Sequence, residues 1–207
     1  MTTATLYYVY DPMCSWCWGF KSTWDTVQSN LKQEVAIQYV LGGLAPDTDM
    51  AMPEAMQRQI ASYWQRIEQE LGAEFNYEFW SKNTPRRATY PACRAILAAR
   101  KQNSEQAMNQ AIQQAYYLQA KNPSDNNILI ALAQEIGLDV MQFETDFLAQ
   151  STQQTLLEEI QFARSIGGSS FPSLFLSQHN KVTALPIDYK HPSTTIDLVR
   201  SLLTATP

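Results

Sequence analysis

Two cysteines separated by two residues are the most reactive feature of the sequence. In Cys14-Ser15-Trp16-Cys17, the spacing places both sulfurs on one helical turn, close enough to form a disulfide. Such a pair can exchange with another disulfide. One thiolate attacks it, a mixed disulfide forms, and the second thiol then displaces the substrate. The spacing therefore predicts thiol–disulfide exchange at this turn.

A predicted strand and a predicted helix flank the cysteine pair. Residues 5–10 are rich in β-branched and aromatic side chains and end at the turn Asp11-Pro12, which indicates a buried strand. From Cys17 onward, large apolar residues recur every three or four positions, which predicts an amphipathic helix; they are Phe20, Trp24, Val27 and Leu31. A C-x-x-C between a strand and a helix favours redox chemistry over two inert buried cysteines.

We expect the two cysteines to have different roles. Cys17 lies on the apolar stripe of the helix, whereas Cys14 lies at its start, which we expect to be exposed. Unpaired backbone N–H groups and the helix dipole favour a thiolate there. We therefore predict Cys14 as the nucleophile and Cys17 as the resolving thiol. We predict no metal, since Cys93, His179 and His191 provide no second short-spaced ligand pair for zinc.

The composition favours a soluble, cytoplasmic protein. With 207 residues, 45% of them hydrophobic, the chain can bury a core without disulfides. A net charge of -5 opposes binding to a phosphate backbone, so we predict no nucleic-acid partner. The N-terminus shows no signal-peptide pattern, and no apolar run approaches the roughly 20 residues of a membrane span. We therefore predict no membrane partner and a cytoplasmic location, where thiols stay reduced.

Strand patterns occur only near the two ends of the chain. A block of helical patterns separates them, from about residue 45 to residue 150, and residues 193–203 predict a closing helix. A strand–helix–strand start makes the first two strands parallel, and the late hairpin adds antiparallel strands. The order predicts a small mixed α/β sheet interrupted by helices; the predicted strands are residues 5–10, 34–41, 173–177 and 181–185.

Helix-start signals divide the helical region. Asp125 and Asp139 are predicted to cap two successive helices. Ser151, with Gln154 three residues later, forms a capping-box pattern for a third helix. That helix is predicted to end at Gly167-Gly168, before strand patterns return.

Four segments together resemble one family of oxidoreductases; they are residues 11–20, 41–44, 83–95 and 167–173. In the same order they are similar to DsbA-like proteins, specifically the FrnE-type group of predicted protein-disulfide isomerases. The resemblance implies an α/β, thioredoxin-like fold at 1–43 and 151–207, interrupted by an all-helical insertion domain at 44–150. It also implies that Pro172 is a cis-proline facing the cysteines, which makes it part of the predicted catalytic site. Ser15-Trp16 matches neither the DsbA nor the thioredoxin dipeptide, so the direction of transfer stays open.

Apolar and basic residues near these segments are candidates for substrate binding; they are Trp16, Trp18, Phe171, Arg86 and Arg87. The backbone of Phe171 can pair with an extended peptide beside Cys14. Trp18 either joins Trp16 and Phe171 in an apolar surface around Cys14 or is covered by the helical insertion. Arg86 and Arg87 are either a solvated pair or a contact for a carboxylate of a peptide or glutathione.

Two further residues have alternative interpretations. Asp11 either only initiates the Asp-Pro turn, or its charge tunes or deprotonates a cysteine. Cys93 falls within a predicted helix, and we expect a buried, inert thiol there.

We expect a cytoplasmic thiol–disulfide oxidoreductase or isomerase that acts on protein or peptide disulfides. No cofactor is predicted, with glutathione left open as a co-substrate. The alternative is a glutathione-dependent transferase or isomerase, because kappa-class transferases and hydroxychromene-carboxylate isomerases resemble the same scaffold. Those enzymes typically carry serine at the first cysteine, so the presence of both Cys14 and Cys17 favours the first function. A third possibility is a binding module without turnover.

Overall fold

A four-stranded mixed sheet is the frame of the computed structural model, which describes residues 4–204. The strands are β1 (Thr5–Tyr10), β2 (Ala36–Leu41), β3 (Ser173–Gln178) and β4 (Lys181–Leu185). Their spatial order is β2-β1-β3-β4. β1 runs parallel to β2 and antiparallel to β3, and β4 runs antiparallel to β3. The two ends of the chain therefore meet in one sheet, as the strand patterns predicted.

Helices cover this sheet and fill the long interval between β2 and β3. Within the described residues they are α1 (Ser15–Leu31), α2 (Glu54–Leu71), α3 (Phe79–Lys82), α4 (Tyr90–Arg100), α5 (Glu105–Tyr117), α6 (Asn126–Glu135), α7 (Val140–Leu148), α8 (Gln150–Ser165) and α9 (Pro192–Thr204). The predicted α/β thioredoxin-like fold with helices inserted after β2 is confirmed. The domain boundaries at 43/44 and 150/151 stay predictions. Residues 1–3, which belong to the segment without a signal-peptide pattern, and 205–207 lie outside the described residues.

Helix α1 packs its predicted apolar stripe against the sheet. Phe20, Trp24, Val27 and Leu31 are all buried. The ring of Trp24 stacks on Tyr8 of β1 at a centroid distance of 4.4 Å. Burial of such aromatic side chains contributes a large share of core stability. It fixes the position of α1, and with it the position of the cysteine turn at its N-terminus.

Two of the three predicted helix caps differ in the structure. Asp139 caps α7, where its carboxylate accepts a hydrogen bond from the backbone of Gln142. Asp125 occupies the N-cap of α6, but its side chain makes no capping bond and pairs instead with Arg86. The capping box is wrong: α8 begins one residue before Ser151, directly after α7. The ion pair with Arg86 overrides the capping signal of Asp125, and the short connection between α7 and α8 overrides that of Ser151.

Helix α4 is the most deeply buried helix of the insertion. Residues 91–93 and 95–99 of this helix are all buried. Its N-terminus lies near the end of β1, because Thr89 contacts Asp11 directly. None of the helices formed by residues 4–204 is both long and apolar enough to cross a lipid bilayer.

Candidate active site

The cysteine pair lies where β1 gives way to α1. Cys14 has an extended backbone and is the N-cap of α1, and Cys17 lies in the first turn. The Cys14 amide donates to the Asp11 carbonyl at 3.0 Å, and the Cys14 carbonyl accepts from the Trp18 amide at 3.1 Å. Both cysteines are free thiols, and burial together with the neighbouring Cys14 contributes to a raised pKa of Cys17. The pair therefore has the proximity that dithiol exchange requires.

Cys17 is buried as expected, but Cys14 is more protected than the sequence suggested. Cys17 is 1% exposed, and Cys14, which we expected at an exposed position, is only 7% exposed. A distant segment contributes to this protection, since the Phe171 carbonyl lies against the Cys14 thiol. Burial, followed by the neighbouring Cys14, raises the pKa of Cys17 well above its usual value. Cys17 therefore remains a neutral thiol at physiological pH.

The Phe171–Pro172 segment lies directly beside Cys14. The peptide bond between Phe171 and Pro172 is cis, and Pro172 is buried. The Cys14 thiol donates to the carbonyl oxygen of Phe171 at 3.5 Å. This is the only hydrogen bond of the Cys14 side chain to the backbone within residues 4–204. A sulfur bonded to Cys14 would thus lie next to the backbone of Phe171.

A glycine and an arginine hold the Phe171 ring in place. A Cβ atom at Gly42 would lie 1.9 Å from the ring, so only glycine allows this packing. The Arg164 guanidinium lies 5.4 Å from the ring centroid. It also donates to the carbonyls of Gly42 and Gly168, at 3.2 Å and 2.5 Å. Gly42 and Gly168 therefore help to fix the wall beside Cys14.

The Cys14 thiol faces a cavity of about 230 Å³, which we name the front cleft. Its wall is largely apolar and aromatic; around Cys14 it includes Met13, Trp16, Leu44, Tyr63, Tyr116 and Phe171. The predicted residues Trp16, Phe171, Arg86 and Arg87 line it, whereas Trp18 does not. The sequence analysis missed Leu44, Tyr63 and Tyr116. They lie in loops and insertion helices far from the motif, and no local pattern marks them.

The two tryptophans of the turn have different surroundings. The ring centroids of Trp16 and Tyr189 are 5.3 Å apart, and the Arg66 guanidinium lies 5.5 Å from the centroid of the Trp16 ring. Trp18 stacks on Tyr117 of the insertion at 5.4 Å, and its indole N–H donates to the Glu74 carbonyl at 3.1 Å. The structure therefore places Trp18 against the helical insertion, the second of the two predicted alternatives. It does not bring Trp18 to Trp16 and Phe171.

The two arginines of the cleft are also inequivalent. Arg86 donates to the Ser124 carbonyl at 2.8 Å and to the Asp125 carboxylate at 2.5 Å. It is therefore a structural cation that joins the segment before α4 to the start of α6 within the insertion, not a solvated one. Arg87 is exposed at the cleft and makes no ion pair with any residue from 4 to 204. Arg87 is the cation available to a substrate carboxylate.

A fully buried carboxylate lies beneath the front cleft. Asp11 is 0% exposed and accepts hydrogen bonds from Met13, Leu44 and Thr89 at 2.9, 2.7 and 2.7 Å. The Cys93 thiol, itself fully buried, donates to the same carboxylate at 3.6 Å. Burial raises the pKa of Asp11, and these donors oppose the shift. Three of the four donor residues, Met13, Leu44 and Thr89, line the cleft, so Asp11 positions its floor.

Asp11 and Cys93 resolve two alternatives left by the sequence. The Asp11 carboxylate does more than initiate a turn, and of the three cysteines only Cys93 donates a hydrogen bond to it within the described residues. Burial raises the pKa of the Cys93 thiol well above its usual value. A buried neutral thiol is a poor nucleophile, which agrees with the expectation of an unreactive Cys93.

The sequence matches a family model described as thioredoxin over residues 7–187. Among curated proteins, the chain is 26% identical over 180 residues to the ClpXP adapter protein SpxH of Bacillus subtilis. It is 23% identical over 181 residues to SpxH of Halalkalibacterium halodurans. Each match covers 84% of this chain and 59% of the relative, so the chain spans less than two thirds of the length of these relatives.

Solved structures show the same fold over nearly the whole chain. A candidate protein disulfide isomerase from Nitrosomonas europaea superposes with a TM-score of 0.86 at 25% identity, covering 97% of this chain and 98% of that one. The cytosolic disulfide reductase DsbM of Pseudomonas aeruginosa gives a TM-score of 0.77 at 22% identity, covering 96% and 98%. With a family match across most of its length and this fold, the chain belongs to the thioredoxin family.

Proposed function

We propose that the protein exchanges disulfides in extended polypeptides, with Cys14 as the nucleophile and Cys17 as the resolving thiol. The observation that carries the proposal is the placement of the two sulfurs. Cys14 lines the front cleft beside the Phe171 carbonyl, whereas Cys17 does not line it. A substrate disulfide in the cleft therefore meets Cys14 first. The similar fold of a protein named as a disulfide reductase supports this activity.

The reaction has two exchange steps. The Cys14 thiolate attacks one sulfur of the substrate disulfide, and the other substrate sulfur leaves as a thiolate and takes a proton. Cys17 then loses its proton and attacks the Cys14 sulfur. A Cys14–Cys17 disulfide forms as the mixed disulfide breaks, so the substrate is reduced and the protein oxidised. In isomerisation, a second substrate thiol displaces Cys14 instead, and the Cys14–Cys17 pair stays reduced.

The front cleft suits a short apolar segment around a cystine. Its aromatic and methionine side chains provide a surface that adapts to different sequences. The Phe171 carbonyl, near the Cys14 sulfur, is available to accept a backbone hydrogen bond from the substrate. We propose the cytoplasm as the compartment, where reduction or isomerisation is the favoured direction. The similarity to a reductase named as cytosolic supports this choice.

Trapping tests the assignment of the two thiols. In a Cys17→Ser variant, attack by Cys14 persists but resolution does not, so mixed disulfides with a peptide cystine should accumulate on non-reducing gels. Cys14→Ser should form none. Cys93→Ser is the matched control and should behave like the parent protein, because its buried thiol takes no part. Equal trapping by the Cys14 and Cys17 variants would contradict the mechanism.

A glutathione-dependent transferase is the second candidate. The exposed Arg87 at the cleft can pair with a glutathione carboxylate, and DsbM has also been solved with GSH. The two functions differ in their need for Cys14. A transferase uses the sulfur of glutathione, so Cys14→Ser should retain conjugation of 1-chloro-2,4-dinitrobenzene. If Cys14→Ser loses insulin reduction and the parent protein shows no conjugation, the result supports disulfide exchange alone.

A further inference from the structure

A second cavity, of about 220 Å³, shares no lining residue with the front cleft. We name it the rear cavity. It lies between α1 and α5, and its wall includes Cys17, Lys21, Asp25, Asn109, Gln110 and Gln113. Cys17 is thus the member of the pair that meets this space. The two sulfurs of one helical turn border two different cavities.

The wall that α5 contributes to the rear cavity is made of amides. Gln113 is 3% exposed, a degree of burial at which an apolar residue is usual. Its side-chain oxygen and that of Asn109 are buried and have no hydrogen-bond partner among residues 4–204. Leaving such an atom unsatisfied destabilises the folded protein. The amide side chains of both residues line the rear cavity, and a polar cavity of this volume accommodates several ordered water molecules.

The rear cavity reaches solvent at its other end. Lys21 and Asp25 form an ion pair at 2.5 Å, with side chains 35% and 54% exposed. Gln110 is also exposed on the facing helix. Water in the cavity would therefore connect the buried Cys17 with the surface.

Resolution of the mixed disulfide requires the Cys17 proton to leave. At that moment the substrate is bonded to Cys14 and occupies the front cleft. Asp11 is not placed to accept the proton, since its carboxylate is occupied by donors from Met13, Leu44, Thr89 and Cys93. The rear cavity is the polar space that Cys17 itself lines.

We propose that ordered water fills the rear cavity and carries the proton of Cys17 to solvent during resolution. This inference rests on the proposed disulfide exchange. Cys17–SH passes its proton to cavity water, and its thiolate attacks the Cys14 sulfur. The Cys14–Cys17 bond forms as the bond from Cys14 to the substrate sulfur breaks. The departing substrate thiolate takes a proton from solvent, so no further oxidant or reductant is needed.

Other titratable groups surround Cys17; they are Cys14, Asp11, Tyr8, Tyr117 and Tyr189, with Lys21 and Asp25 at the cavity mouth. Burial raises the pKa of Tyr8, Tyr117 and Tyr189, so these phenols stay neutral at physiological pH. A neutral phenol can relay a proton but cannot retain one from a thiol. Water remains the acceptor that the geometry supports.

The test separates the two exchange steps. The double variant Asn109→Leu/Gln113→Met keeps side-chain size but removes the amides that hold water. Stopped-flow mixing with a fluorescent peptide cystine should show mixed-disulfide formation at the parental rate. Decay of the mixed disulfide should be about tenfold slower at pH 7, a modest loss for a proton-transfer route, and should recover as the pH rises. Gln114→Met, on the same helix outside the cavity, is the matched control and should change neither step.

A second variant covers a failure of the double variant to fold. Gln110→Trp fills the exposed mouth without altering the interior, and it should also slow decay selectively. Parental decay rates in folded Asn109→Leu/Gln113→Met, or in Gln110→Trp if the double variant does not fold, would overturn the proton route. So would equal slowing of both steps. A failure of the proposed function looks different, because no mixed disulfide would then form in any variant or in the parent protein.

Discussion

The front cleft and the rear cavity are similar in volume but opposite in chemistry. The front cleft presents Cys14 among aromatic and methionine side chains, next to the backbone of Phe171. The rear cavity presents Cys17 to side-chain amides and an ion pair. A C-x-x-C motif by itself supplies two chemically identical thiols. The surroundings of Cys14 suit it to bind a substrate, and those of Cys17 suit it to lose a proton late in the reaction.

The insertion helices contribute to both spaces. Tyr63 of α2 and Tyr116 of α5 line the front cleft, while Asn109 and Gln113 of α5 line the rear cavity. Helix α5 therefore takes part in both surroundings. Its apolar and amide positions face different cavities, so single substitutions on one helix can change one thiol without the other.

The largest expected difference between the two thiols is in alkylation. In a Cys93→Ser background, Cys14→Ser isolates Cys17 and Cys17→Ser isolates Cys14. Because burial raises the pKa of Cys17, its thiolate appears only at alkaline pH, and its reactivity should rise as pH passes through that shifted pKa. At pH 7 we expect Cys17 to react with iodoacetamide roughly 100-fold more slowly than Cys14. Mass spectrometry measures both rates, and similar rates at pH 7 would remove the distinction between the two sites.

The two tryptophans sharpen the comparison at an intermediate scale. Trp18 stacks on the insertion, so Trp18→Ala should lower the free energy of unfolding by about 2–3 kcal/mol, below the range for full burial. Turnover of peptide disulfides by the folded fraction should change little. Trp16→Ala should have the reverse effect, with turnover of a peptide cystine roughly fivefold lower and that of a minimal dithiol reagent unchanged. Denaturant melts and the two assays distinguish them. Loss of peptide turnover in Trp18→Ala at parental stability would show that Trp18 belongs to the front surface.

The smallest effect is expected at the arginine pair. Arg87→Gln should raise KM for an acidic peptide cystine about threefold at low salt, and the difference should shrink at high salt. Its KM for a neutral peptide should stay unchanged. Arg86→Gln is the matched comparison, and it should lower stability by about 1 kcal/mol through loss of the Asp125 pair, with little effect on KM. An effect of Arg87→Gln on both peptides alike would argue against recognition of a carboxylate.

Local patterns predicted the elements that carry the motif. The strand at residues 5–10, the helix from the cysteines and the hairpin strand at residues 181–185 agree with the structure, because each depends on neighbouring side chains. The surroundings of the motif depend on distant ones. The Cys14 thiol contacts the distant Phe171, and the donors to Asp11 include Thr89 and Cys93. No periodicity in one segment predicts a partner dozens of residues away.

The dependence on distant residues also explains why local signals were insufficient at Arg86, Asp125 and Trp18. Arg86 and Asp125 each carried a reasonable local signal, a solvated turn for one and a helix cap for the other. Their pairing across 39 positions overrides both signals. Similarly, Trp18 stacks on Tyr117, which belongs to a distant helix that the residues around Trp18 do not reveal.

The hydrogen bonds of Asp11 have a consequence for how the chain can be divided. Only Met13 among its donors lies before the insertion; Leu44, Thr89 and Cys93 all lie within residues 44–150. A chain trimmed to its sheet would keep this carboxylate with one donor in place of four, at the end of β1. The helices after β2 should therefore not melt ahead of the sheet, and unfolding should be a single cooperative transition. A minimal version of this fold would have to replace Asp11 before it could lose its helices.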